Sequence, residues 1–500
     1  MTTKTPVRNE IDISMSGIVP DNLIQKYDKQ KNSFYTFYPM LGLWDEKVGF
    51  SEFKSAWKSR IKENPKEPFQ LYLHFPYCPT QCVYCQCAMV ASKDINAYST
   101  SVDFMIKEIE ILNEIFNEYK FKPNVAEIHF GGGSPSVIPK KDFERLFDAL
   151  GRIIDISKVS EIAIEIDPRK DRLQKDILRY YASKGINRIS FGIQDFDFAV
   201  LKAINRAPFC SYEDISDLLK PDTRKLFKNG INFDLIYGMP FQTLDSWETT
   251  MDQVLKIKPD RLAVLTYGHR PEVFPHQKVI KGTLPSDELK NTMFNLATNK
   301  LTREGYERIG IDYFALPHDA LAISKKNGTL CRNGLGHTPG RAHEIIGIGP
   351  SCQMIINNNY FQNYFSLDSY YASLEKGLTP IVRGWMSSKD DIIRRKIIFD
   401  YINKQKVSIP EIEEMHNINF NSYFKDELSK LEEFVADGIL IIDKEFIHPT
   451  TIGRFFLRQV CEVFDKVFHA KGYKHSRDYV DGRRSFTTYS KKAHKKYIQS

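Results

Sequence analysis

Residues 71–87 read Leu71-Tyr-Leu-His-Phe-Pro-Tyr-Cys78-Pro-Thr-Gln-Cys82-Val-Tyr-Cys85-Gln-Cys87, an apolar run that opens into a loop with four cysteines. Leu71–Phe75 has the length and composition of a strand, and Pro76 ends it. The cysteine loop is therefore placed at a strand's C-terminal end. Five further runs repeat the pattern downstream: Val125–Phe130, Glu161–Ile166, Arg188–Ile193, Asn232–Tyr237 and Arg261–Tyr267. Amphipathic stretches lie between them, among them Asp103–Tyr119, Lys141–Ile154, Arg172–Ala182 and Thr249–Ile257. Strands alternating with helices predict βαβ units, a parallel sheet and right-handed crossovers. The fold class is α/β, and six units favour a partial or full barrel over an open doubly wound sheet. In either case ligands gather at the C-terminal ends of the strands, where the cysteine loop begins.

Five hundred residues exceed one compact core. After residue 370 the strand rhythm fades, and Asp390–Tyr401, Phe424–Asp437 and Thr451–Phe468 read as helices, with Ile439–Ile447 as a small β-wing. The expected organisation is an N-terminal arm or lid over 1–69, a barrel over 70–370, a mostly helical domain over 371–470 and a basic tail over 471–500. The arm is rich in aromatics (Phe34, Tyr35, Phe37, Tyr38), which suit packing against the barrel or closing its mouth.

The net charge is +7, and residues 471–500, with nine Lys or Arg against two Asp, account for all of it. The rest of the chain is balanced, which argues against a nucleic-acid-binding face; a basic tail is a solvated segment or a dock for an acidic partner. No apolar run reaches the roughly 18–20 residues of a membrane span, and the first residues hold no signal core, so the expected address is the cytoplasm.

The eight cysteines fall at 78, 82, 85, 87, 210, 331, 352 and 461. Four within ten residues do not make a disulfide framework. Three thiolates spaced C-x3-C-x2-C can wrap one loop around a [4Fe–4S] cubane, ligating three irons and leaving the fourth for a substrate group. Zinc is the rival. A structural zinc site takes four protein ligands in separated pairs, and no second C-x2-C or H-x3-H pair follows.

This loop, after the first strand of a βα barrel, resembles that of the radical S-adenosylmethionine (SAM) superfamily. The fuller string, with Tyr72 and His74 before the loop and Cys87 after it, is similar to the oxygen-independent coproporphyrinogen III oxidases (the HemN family). The likeness continues through Gly131-Gly-Gly-Ser-Pro135, Ile164-Glu-Ile-Asp-Pro-Arg169, Gly192-Ile-Gln-Asp-Phe196, Asn205-Arg206 and Asp234-Leu-Ile-Tyr-Gly-Met-Pro240. It returns at Ile309-Gly-Ile-Asp-Tyr-Phe-Ala315, Arg383-Gly384, Asp390-Asp-Ile-Ile-Arg-Arg395 and Gly453–Asp465, and so covers roughly 20–470.

The resemblance implies a radical SAM (β/α)6-type partial barrel with an N-terminal arm and a mostly helical C-terminal domain. It implies a [4Fe–4S] cluster on Cys78, Cys82 and Cys85, and SAM cleaved to a 5′-deoxyadenosyl radical that abstracts hydrogen. Tyr72, Gly132 and Glu165 are then SAM contacts, with Glu165 suited to ribose hydroxyls. Gln194, Arg206 and Asp234 map to a second SAM molecule, lined also by Tyr84, Gly133, Ser134 and Gly268, while Gln353 maps loosely to another SAM contact. On residue chemistry alone, Arg206 can take a carboxylate and Asp234 an amino group, or the two can pair with each other. Cys87 is a catalytic or site-lining candidate or a small buried hydrophobe. The resemblance further implies a flavodoxin- or ferredoxin-type electron donor, a small tetrapyrrole substrate and a monomer.

The substrate-side strings depart from the family's pattern. Its Arg-Tyr-Thr-Ser-Tyr-Pro is here Phe34-Tyr-Thr-Phe-Tyr-Pro39, its Asp-His-Phe-Ala is Asp312-Tyr-Phe-Ala315, and its Arg-Asn-Phe-Gln-Gly-Tyr-Thr-Thr is Arg332-Asn-Gly-Leu-Gly-His-Thr-Pro339. Three activities remain open at this point. One is oxidative decarboxylation of coproporphyrinogen propionates to vinyls in haem biosynthesis. The second is methyl transfer or haem ring opening with paired SAM molecules, and the third is haem carriage without catalysis, which has little need of Gln194, Arg206 and Asp234 together.

Overall fold

The computed structural model describes residues 20–27, 35–170, 175–280 and 282–467. Its frame is six parallel strands, β1 (Phe69–Phe75), β2 (Val125–Gly132), β3 (Glu161–Ile166), β4 (Arg188–Gln194), β5 (Ile231–Tyr237) and β6 (Arg261–Thr266), adjacent in chain order. Helices Ile95–Glu118, Lys140–Ile153, Lys175–Ser183 and Leu244–Ile257 cross between them. The partial barrel expected from the apolar runs is therefore present.

Side chains alternate along each strand, and this decides where chemistry can occur. Leu71, Leu73, Ile128, Phe130, Ile164, Phe191, Phe233 and Val264 face the helices and share one apolar core with Met105, Ile109, Leu146, Leu150 and Val254. The opposite face carries Gln70, Tyr72 and His74 of β1, Glu127 and His129 of β2, Glu165 of β3, Ser190 of β4, and Asn232 and Asp234 of β5. These residues bond to one another along and across the strands. The lumen is thus polar.

Two elements extend the sheet past the expected barrel. On one side β7 (Glu307–Ile309) and β8 (Tyr313–Ala315) continue from β6 with β8 antiparallel to it. On the other, β9 (Glu344–Ile348) pairs parallel with β1, and β10 (Gln353–Ile356), β11 (Asn359–Asn363) and β12 (Ile381–Trp385) follow as a meander. The large sheet therefore runs past residue 370, and the helical unit begins at Lys389.

That unit comprises helices Lys389–Lys404, Ile409–His416, Lys425–Ala436 and Leu457–Val463 with a three-stranded wing that includes Leu440–Ile442 and Phe446–Pro449. The continuous helix expected over 451–468 is instead a turn, Ile452–Phe455, followed by Leu457–Val463. Gly453 packs so closely on the Ile439 carbonyl that a Cβ would lie 1.9 Å from it, which pins the chain in a turn there. Leu23, Tyr27, Tyr35 and Tyr38 of the arm are buried in this unit's core, and Asp45 bridges to Gly384 of β12. The described arm is thus packed as core. Phe34 and the basic tail of 471–500 lie outside the described residues, as do the first residues of the 172–182 stretch. No helix among the described residues is long and apolar enough to cross a membrane.

Candidate functional site

The ends of β1 to β6 converge on the cysteine loop. Cys78 pairs beside Ala91 in a short ladder, and the loop is then tied to its surroundings by backbone. Val83 N donates to Ile204 O at 3.0 Å, and Gly133 N and Ser134 N donate to Phe75 O and Tyr77 O at 2.7 and 2.9 Å. Asn205 Nδ2 reaches Gln81 O at 2.8 Å. Among the described residues no three His, Cys, Asp or Glu side chains converge as ligands of a single metal ion. A cubane asks for something else, one thiolate on each of three separate irons.

Two guanidinium groups back the loop. Cys82 Sγ, buried, lies 4.0 Å from Arg169 Nη2 and 3.9 Å from Arg206 Nη1. Arg169 pairs with Asp167 at 2.7 Å, whereas Arg206 meets Asp167 at 3.6 Å, Tyr84 Oη at 3.1 Å and the Gly192 carbonyl. Fixed positive charge beside thiolates suits an anionic, thiolate-ligated centre. Cys87 is exposed at the mouth, and the nearness of the two thiols draws Cys85 below its usual range and pushes Cys87 up. Three thiols on one short loop, flanked by these cations, fit the cluster.

The triple glycine has a packing role. A Cβ on Gly131 would sit 2.6 Å from Glu165 Oε1 and 2.9 Å from Tyr72 Cε2. On Gly132, at φ +105°, it would meet the Phe75 carbonyl at 2.8 Å, and on Gly133 the Tyr77 carbonyl at 2.6 Å. The glycines let β2 lie flush against β1 and the cluster loop, leaving room for Glu165 and Tyr72.

Glu165, 40% exposed at its side chain, is held by His129 Nε2 at 2.9 Å. Arg188 Nη2 lies 3.4 Å from His129 Nδ1. A guanidinium can only donate, so Nδ1 accepts and the Nε2–H is donated to Glu165. Tyr72 donates to His74 Nδ1 at 3.2 Å, and His74 Nε2–H to Ala88 O at 2.7 Å; burial pushes His74 below its ordinary value, in keeping with a neutral ring.

Gln194 stands in the left-handed region at φ +69°, a sparsely populated conformation for a side chain of its size. Asp195 fixes that turn, accepting from Phe196 N, Asp197 N, Gln242 Nε2 and Thr250 Oγ1. Gln194 Oε1 is buried without a partner, an acceptor suited to a ligand's donor group. Asp234 accepts from Ser190 Oγ at 3.1 Å and Asn232 Nδ2 at 2.8 Å, and burial, with the Glu165 charge second, raises it to about 6. No ion pair joins Arg206 to Asp234, so the mutual-pairing alternative is not the arrangement adopted. Gly268 accepts from Gln86 Nε2 at 2.9 Å. Gln353 opens β10, its Oε1 lying 3.3 Å from where Gly334 would carry a Cβ. No hydrogen bond among the described residues ties Gln353 to the cluster loop.

His129, Asp195 and His276 were not singled out from the sequence. Glu127 and His129, two residues apart in an apolar strand, were the available signal for the first. Asp195 joins local contacts to Phe196 N and Asp197 N with tertiary ones to Gln242 and Thr250, and His276 acts through a tertiary contact with no local signature.

Comparison with known proteins agrees with this arrangement. The radical SAM superfamily profile matches residues 72–254. The oxygen-independent coproporphyrinogen III oxidase of Pseudomonas aeruginosa is 35% identical over 449 residues, 89% of this chain and 95% of that protein. The Escherichia coli protein of that name is 32% identical over 450 residues, 90% and 95% of the two chains. The solved structure of coproporphyrinogen III oxidase (HemN) from Escherichia coli, described as a radical SAM enzyme, aligns with a TM-score of 0.81 at 32% identity. That alignment covers 88% of this chain and 100% of the other. The chain belongs to the oxygen-independent coproporphyrinogen III oxidase family of radical SAM enzymes.

Proposed function

We propose that this chain oxidatively decarboxylates coproporphyrinogen III, converting two propionate side chains to vinyls. At each one a hydrogen atom is removed from the β-carbon, the bond to the carboxylate carbon breaks, carbon dioxide leaves, and one electron passes to an acceptor. Bound together, the [4Fe–4S] cluster and SAM supply the one-electron chemistry that removes the hydrogen. The chain's own residues hold and orient these groups. Cys78, Cys82 and Cys85 are read as the cluster ligands. Tyr72, Tyr84, Gly132, Gly133, Ser134, Glu165, Gln194, Arg206, Asp234, Gly268 and Gln353 are read as contacts for two SAM molecules, with Cys87 lining the reaction space. A flavodoxin- or ferredoxin-type donor, a monomer, a cytoplasmic address and domain limits near 70, 388 and 470 belong to the same reading.

One observation carries it: four of the departures from the family's substrate-side strings form two exchanges across a contact, while Phe34, Leu335 and Pro339, where the family has Arg, Gln and Thr, are not among them. Where the family has His and Tyr, this chain has Tyr313 and His337, and their rings touch edge to face with centroids 5.2 Å apart. Where the family has Ser and Phe, this chain has Phe37 and Gly334, and the Phe37 ring lies 2.4 Å from where Gly334 would carry a Cβ. The side chains have traded places across contacts, so the packing there keeps its volume and its His–Tyr pair. Such exchange preserves the local packing of the family's fold, and the likeness to coproporphyrinogen III oxidases over about nine-tenths of the chain favours decarboxylation over methyl transfer or haem carriage.

The exchanges are testable as a cycle. Gly334→Phe alone puts two rings in one space and is expected to cost about 1–3 kcal/mol or more. Phe37→Ser alone leaves a cavity costing about 3–5 kcal/mol. The double variant should recover most of that loss in denaturant unfolding, and strictly additive losses would refute the exchange.

The activity itself is tested by anaerobic reconstitution with iron and sulfide, then turnover with SAM, a reductant and coproporphyrinogen III. Loss of two carboxyl groups by mass, with two carbon dioxide released per substrate, is the expected product pattern. Accumulation of S-adenosylhomocysteine and a methylated product would instead assign methyl transfer.

A further inference from the structure

The segment from Cys85 to Ala88 is gripped from two sides. From the lumen, His74 donates its Nε2–H to the Ala88 carbonyl at 2.7 Å, and the Tyr72 hydroxyl on Nδ1 fixes that tautomer. From the opposite direction, the loop after β6 folds back over the cysteines. His276, 191 residues further along the chain, has Nε2 at 2.8 Å from the Cys85 carbonyl. A carbonyl can only accept, so this nitrogen carries the proton. The same loop makes the Gln86 Nε2 to Gly268 O contact at 2.9 Å, and Gln277 braces it by reaching Gly268 O at 3.3 Å and accepting from Arg270 N at 2.5 Å.

We propose that His276 is a positioning residue for the iron–sulfur cluster: with His74 it clamps the Cys85–Ala88 backbone and so fixes where the Cys85 sulfur points. The inference rests on the reading of Cys85 as a cluster ligand. Its consequence is that cluster retention depends on a half-buried side chain whose contact is with the Cys85 backbone carbonyl. A three-thiolate loop loses a cubane through excursions of one ligand away from its iron. A carbonyl hydrogen bond that opposes such an excursion slows iron loss by its net contribution, about five- to tenfold.

The test is iron release to a chelator from anaerobically reconstituted full-length protein, with far-ultraviolet circular dichroism and thermal unfolding recorded on the same samples. His276→Ala is expected to fold as the parent does, to load iron, and to release it about five- to tenfold faster. His276→Gln retains an N–H that can reach the carbonyl and is expected to restore most of the retention. Release from His276→Ala at the parent's rate overturns the clamp, as does a His276→Gln no better than His276→Ala. A His276→Ala chain that fails to fold assigns the contact to the fold and overturns it too. A parent that loads no iron overturns the ligand reading and the clamp along with it, an outcome separate from the others.

Discussion

Replacing Cys78, Cys82 or Cys85 by Ala is expected to reduce iron and acid-labile sulfide after anaerobic reconstitution to background, and SAM cleavage with them. The physical reason is the small number of protein ligands. Three thiolates already leave one iron open, and a cubane on two is poorly held. The three positions are not equivalent in their surroundings. Cys82 is buried against Arg169 and Arg206, so Cys82→Ala also leaves two guanidinium groups facing an apolar methyl. It should be the least stable of the three variants. Cys87→Ala keeps the three proposed ligands and removes a thiol exposed at the mouth, so its iron content should match the parent's. A Cys87→Ala protein devoid of iron, with a Cys78→Ala protein that retains it, would reassign the ligand set.

The six barrel strands were legible because each is an apolar run bounded by turn residues and spaced by a helical stretch. Their ends in the structure lie within two residues of the sequence-based limits. The first crossover helix was read too short. It begins at Ile95, capped by Asp94, but Ser99, Thr100 and Ser101 interrupt the apolar stripe there. Strands β7 to β12 are three to five residues long and broken by glycines at 310, 347 and 384, too short for a periodicity to show. At the site, what a residue type can do was legible and what it touches was not. Arg206 and Asp234 suggest a pair from chemistry alone, yet Arg206 is taken by Tyr84, Asp167 and Gly192, and Asp234 by Ser190 and Asn232. The glycines after β2 suggest ligand contact, and nothing in the sequence signals that they also make room for Glu165, Tyr72 and the cluster loop. The traded pairs Tyr313–His337 and Phe37–Gly334 read as losses along the sequence and as exchanges in space.

Asp234 gives the cleaner test of the second SAM molecule, because Arg206→Ala would also disturb Cys82. Burial raises the Asp234 carboxyl from 3.8 to about 6. The sign of the linkage follows. The folded protein binds this proton more tightly than the unfolded chain does, so its contribution to stability is full below about pH 4 and is lost as pH rises through 6. Above pH 6 the fold carries an ionised carboxylate in the lumen, at a cost of up to about 3 kcal/mol. Solvent access lowers that figure, and the hydrogen bonds from Ser190 and Asn232 are already part of the shift. Asp234→Asn removes the charge at constant shape, though its amide must face one of the two donors. Unfolding in denaturant is therefore expected to show a gain of about 1–2 kcal/mol at pH 8 and little change at pH 4. The same variant should bind one equivalent of SAM where the parent binds two, because a neutral amide no longer attracts a cationic amino group. Reductive SAM cleavage should continue while porphyrinogen turnover stops. A stabilised protein that has lost turnover marks a carboxylate kept for its ligand at the expense of the fold. One equivalent of SAM in both proteins, or a variant several kcal/mol less stable at pH 8, would instead make Asp234 a structural residue.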